Sequence, residues 1–72
     1  MKEKKIKSNG EIMGFENTYG DFVLVYIDSH NPIVITKELG GEIFITTEAG
    51  NGYSYQITQE TFAKIQTKFK FN

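Results

Sequence analysis

The chain has 72 residues, no cysteine, no arginine, one histidine and a formal net charge of −1. That length predicts a single domain over residues 1–72 with a small core, and the composition excludes a disulfide framework, a thiolate metal site and a multi-histidine metal cluster. The near-neutral total hides an uneven distribution. Residues 1–7 carry four Lys and one Glu, and residues 64–70 carry three Lys. The body between them holds eight acids (Glu11, Glu16, Asp21, Asp28, Glu38, Glu42, Glu48, Glu60) against Lys37 alone.

In chain order, residues 1–5 read as a frayed basic end. No apolar run follows them, so they do not read as a secretory signal. The longest apolar run, residues 22–27, is too short to cross a bilayer as a helix. The expectation is a soluble cytoplasmic protein with no membrane partner. Asn9-Gly10 is a two-residue hairpin signal that would set Ile6 opposite Met13.

Residues 12–16 and 22–27 are the next strands. A loop at Asn17-Thr18-Tyr19-Gly20 would pair Phe15 with Phe22 and Met13 with Leu24, with Gly14 marking a bulge or bend. Phe22, Leu24 and Tyr26 alternate with Val23, Val25 and Ile27, so both faces of that strand are apolar. This pattern predicts a central strand covered on both sides.

Asp28-Ser29-His30-Asn31-Pro32 is a polar loop. Its Asp, Ser and His letters do not make a catalytic triad, whose members converge from separate elements. Local Asx-type turn chemistry explains them. A three-strand meander follows over residues 33–36, 42–46 and 53–57, with Leu39-Gly40-Gly41 and Gly50-Asn51-Gly52 as its turns. The β-branched and aromatic residues of these runs suit a half-buried pleated surface. Gly50-Asn51-Gly52 leads into a strand and not a helix, so it reads as a turn and not as a phosphate-binding loop. Thr58 has the chemistry of a helix N-cap. Glu60 suits the first turn, and Phe62, Ile65 and Phe69 share one stripe of a helix over about residues 59–69 that ends among Lys64, Lys68 and Lys70.

The expected fold class is mainly β (α+β): a small curled antiparallel sheet or SH3-like barrel of four to five strands with one C-terminal helix. No motif implies an enzyme, a cofactor or a metal. The acidic body points to a non-enzymatic binding protein, of the compact inhibitor or adaptor type that mobile elements carry. It would dock an acidic β-surface on a basic partner protein through Glu38, Glu42 and Glu48, with Phe44 or Tyr53 as aromatic anchor. The alternative is a small nucleic-acid-binding barrel that uses the Lys-rich ends and stacks bases on Tyr53 and Tyr55. An open sheet edge would also allow a homodimer.

Overall fold

A computed structural model of the chain describes residues 2–30, 32–47 and 53–71. Six strands and one helix follow in order: β1 (Lys2–Lys5), β2 (Glu11–Glu16), β3 (Phe22–Ile27), β4 (Ile33–Lys37), β5 (Ile43–Thr47), β6 (Tyr53–Ile57) and α1 (Gln59–Lys68). All strand pairs are antiparallel. They form a four-stranded sheet of order β1-β4-β5-β6 and a separate ribbon of β2 and β3. The fold is therefore mainly β with a C-terminal helix, as expected, built as two small open sheets and not as a closed barrel.

The meander forms the larger sheet because its alternation assigns one face to the core. Ile33, Ile35, Ile43, Ile45 and Ile57 are all buried. Ile35 pairs with Ile45, and Ile43 pairs with Ile57, so the isoleucines sit side by side across the strands. The ribbon covers this face with Met13, Phe15 and Ile27, which are buried, and Val23 and Val25, which are half-buried against the same cluster. Phe15 meets Tyr55 of β6 edge to face at 5.7 Å between ring centroids.

The helix closes the remaining end of the core. Thr58 caps it, its side-chain oxygen accepting from Thr61 N at 3.2 Å. Ile65 is buried, while Phe62 and Phe69 pack half-buried against the cluster. The chain then returns beside its own start. Lys7 N donates to Lys70 O (2.9 Å), Ile6 bridges to Phe71, and the Phe71 ring stacks on Phe62 at 6.0 Å.

Five expectations are corrected. Lys2–Lys5 is not frayed: it pairs with β4, Lys4 opposite Ile35 and Lys5 opposite Val34. A charged edge strand of this kind is one that no hydrophobic pattern announces. Asn9-Gly10 forms no hairpin. Gly10, at φ 80°, donates to Ile27 O (2.8 Å), so Gly10 and Glu11 together face Ile27 as a glycine bulge. The β2–β3 register is one residue away from the expected one: Phe15 pairs with Val23, Gly14 with Leu24 and Glu16 with Phe22. Asn17 decides this, because its Oδ1 accepts from Tyr19 N (2.9 Å) and Asp21 N (3.0 Å) and draws Asp21 into the loop. Gly14 accordingly sits in an unbroken register, with no bulge of its own. Finally, β3 is not a central strand covered on both sides. It has β2 as its sole strand neighbour among the described residues, and its outer face is open.

Candidate functional site: the outer face of the β2–β3 ribbon

Alternation along the ribbon sends Met13, Phe15, Val23, Val25 and Ile27 inward. It sends Ile12, Gly14 and Glu16 of β2, with Phe22, Leu24 and Tyr26 of β3, to the opposite side. Ile12 lies directly across from Tyr26, Gly14 from Leu24 and Glu16 from Phe22. Four of these residues are large, apolar and exposed: Ile12 at 64%, Phe22 at 70%, Leu24 at 67% and Tyr26 at 59%. Together they offer on the order of 500 Å² of apolar surface, toward the upper end of the ~300–600 Å² patches found on monomers.

Gly14 gives the face its relief. A Cβ there would meet the Phe22 ring at 2.7 Å and Leu24 Cδ2 at 3.1 Å, so the ring lies down across the glycine. Beyond it, between the ribbon and α1, runs an open groove of about 310 Å³ whose walls include Phe15, Ile65 and Phe69. Glu16 is the one carboxylate on the groove, facing Lys64 and Lys68 across it. A lone carboxylate without a second is not an acid–base pair.

The ribbon's own charge is one-sided, with Lys64 and Lys68 of α1 on the far wall of the groove. Residues 8–36 contain Glu11, Glu16, Asp21 and Asp28 and no Lys or Arg, a net charge of −4 with His30 neutral. Asp21 and Asp28 immediately flank β3. Asp28 Oδ1 accepts from His30 N (2.9 Å), the Asx-type turn expected for this loop, while Ser29 N donates to Asn9 Oδ1 (2.7 Å).

The residues singled out from sequence lie elsewhere, on the four-stranded sheet, where Glu38, Glu42 and Phe44 fall on one row by alternation and Tyr53 on the opposite face. Glu38 and Glu42 bracket the β4–β5 turn, where Glu38 N donates to Glu42 O (2.8 Å) and Gly41 takes φ 94°. Leu39 projects from that turn, 95% exposed. Phe44 is half-buried on the outer face of the four-stranded sheet, between Thr36 and Gln56. Tyr53 lies on the inner-face row with Tyr55 and Ile57, exposed at the far end of the strands and stacked on Tyr55 at 6.4 Å. Phe44 and Tyr53 thus occupy opposite faces, and of the two alternative anchors Phe44 shares its row with Glu42. Glu48 and the Gly50-Asn51-Gly52 turn lie outside the described residues.

Sequence reading missed Ile12, Phe22, Leu24 and Tyr26 as a surface, although a signal was present. A chain of this length builds two layers, so a strand apolar on both faces leaves one of them uncovered. Among the described residues no three His, Cys, Asp or Glu side chains gather as a metal site, and no helix is long and apolar enough to cross a membrane. Comparison with protein-family models, with curated proteins and with solved structures finds no match to this chain.

Proposed function

We propose that this protein is a protein-binding domain that docks the outer face of its β2–β3 ribbon on a partner whose matching surface has an apolar centre and a Lys- or Arg-bearing rim. The observation that carries this reading is the clustering of Ile12, Phe22, Leu24 and Tyr26, exposed on one ribbon face. Burying each contributes roughly 1–2 kcal/mol of transfer free energy. The acidic surroundings add steering and selectivity more than affinity. The acidic docking surface expected from composition is kept in this reading, but its place moves from the meander to the ribbon.

The test is site-specific photo-crosslinking in cell lysate. A crosslinker at position 24 captures a discrete protein partner, and one at Gln56, on the outer face of the other sheet, does not. The double variant Ile12→Ser, Leu24→Ser abolishes the capture, and raising the salt weakens it. Equal capture from positions 24 and 56 would falsify the reading.

One observation favours a second reading, binding to nucleic acid. The backbone bond between Lys7 and Lys70 brings the two lysine-rich ends of the chain together.

A further inference from the structure

The edge of β3 that faces away from β2 has a geometry of its own. Asn17 N donates to Asp21 O (2.9 Å), and residues 17 and 21 continue the register that pairs Phe15 with Val23 and Met13 with Val25. In an antiparallel ladder, pairs that exchange hydrogen bonds alternate with pairs that do not. Val23, Val25 and Ile27 therefore direct their backbone groups at β2. Phe22, Leu24 and Tyr26 direct theirs away from it. Among the described residues no other strand lies along that side. Three N–H and three C=O groups stand in a row beside the three apolar side chains of the outer face.

We infer that β3 is an acceptor strand: the partner adds an extended segment antiparallel along its edge, with apolar side chains opposite Phe22, Leu24 and Tyr26 and a basic residue at each end. This rests on the docking reading above and specifies its mode. Main-chain bonds along the edge supply affinity, and alternate side chains supply selectivity. Cross-strand apolar pairs extend the row Ile12–Tyr26 and Gly14–Leu24 by one more strand. Charge selects the occupant. Asp21 and Asp28 flank the two ends of β3, and residues 8–36 hold four acids and no Lys or Arg. A second copy in the same antiparallel arrangement, centred on Leu24, would bring Asp21 of one chain near Asp28 of the other at both ends. Like charges so placed are unfavourable, whereas a segment ending in lysines meets an opposite charge at each end.

The experiment uses the full chain and the peptide Lys-Val-Thr-Val-Thr-Val-Lys, with hydrogen exchange read amide by amide. Peptide binding is expected to slow exchange at Phe22, Leu24 and Tyr26 by about tenfold or more and to leave Val23 and Val25, already bonded to β2, little changed. Binding weakens with salt and with Glu in place of the peptide's lysines. A synthetic protein carrying N-methyl-leucine at position 24 keeps the side chain, loses the edge donor and no longer binds. Absent protection at residues 22, 24 and 26 overturns the inference. If capture through position 24 persists in that case, the docking reading stands without it. Protection of the same amides without peptide, together with a doubled sedimentation mass, would overturn it in favour of a second copy. Equal binding of the Glu-containing peptide would overturn the charge assignment and the inference with it.

Discussion

Leu24 and Ile45 are both aliphatic strand residues, and they stand at opposite extremes of exposure. Ile45 is fully buried between β4 and β6, whereas Leu24 shows two thirds of its surface to solvent. Composition and β-propensity treat them alike, but the energetics differ sharply. Truncating a buried isoleucine removes its transfer free energy and leaves a cavity that the neighbours fill only in part. We expect Ile45→Ala to cost about 2–5 kcal/mol in urea denaturation, enough to unfold much of a domain this small. Leu24→Ser is expected within about 0.5 kcal/mol of the wild type, as for surface changes away from special features. A loss above about 1.5 kcal/mol for Leu24→Ser would mean that this side chain serves the fold and not a partner. Gly14→Ala probes the same face. The new methyl displaces the Phe22 ring, which is free to swing into solvent, so its effect belongs on docking and on the Phe22 ring signals more than on stability.

Among the elements, the helix is the most local. Its start depends on one hydroxyl, Thr58 Oγ1, which accepts from Thr61 N. Thr58→Ala is expected to cost about 1 kcal/mol, the usual value of an N-cap, whereas Thr58→Ser or Thr58→Asp should retain most of it. Thermal unfolding of the three variants separates loss of the cap from loss of the threonine methyl. The same locality made the helix legible in the sequence: a cap, an acid in the first turn and a stripe at helical spacing all sit within a dozen residues. The meander was legible because Ile43 and Ile45 alternate with less buried neighbours, so period two fixes which face is inward. The ribbon was not. Residues 22–27 are apolar on both faces, and a one-residue slip leaves the hydrophobic pattern almost unchanged. The register was settled instead by the Asn17 side chain, a detail of loop hydrogen bonding. β1 was invisible for a different reason: its Lys2–Lys5 composition carries no apolar period, yet it pairs with β4 along its whole length. The docking face was hidden with the ribbon, since expecting β3 to be covered on both sides left no outer row to recognise. For the acids of the meander, Glu38, Glu42 and Glu48, the sequence offers Phe44 or Tyr53 as anchor and does not rank them. Strand alternation then put the two aromatics on opposite faces.

Across the whole molecule, charge is segregated by topology. The ribbon and its loops carry acids and no lysine, and seven of the eight lysines sit on the chain ends and α1, the eighth being Lys37 of β4. The return of the C-terminal tail beside Ile6 places Lys7 next to Lys70. Lys4 and Lys37 line a small cavity of about 150 Å³ with Ile35, Ile43 and Phe62, on the inner side of the β1–β4 edge. Lys64 and Lys68 line the groove beside the ribbon, and Lys64 Nζ lies 3.6 Å from Glu60 Oε1. Lys7 and Lys70 are the two lysines that a backbone bond joins directly. Affinity for nucleic acid rises with the number of phosphates neutralised together, and its salt dependence reports that number. Binding to mixed-sequence duplex is therefore expected only at low ionic strength, with a log–log salt slope of about −2 or shallower. Lys7→Glu with Lys70→Glu should remove it while leaving capture through position 24 intact. A slope steeper than about −4, persisting in that double variant, would place the phosphates along other lysines and make nucleic acid the principal partner. A shallow slope that vanishes in the double variant would favour instead the proposed docking on the acidic ribbon, whose apolar outer face carries Ile12, Phe22, Leu24 and Tyr26.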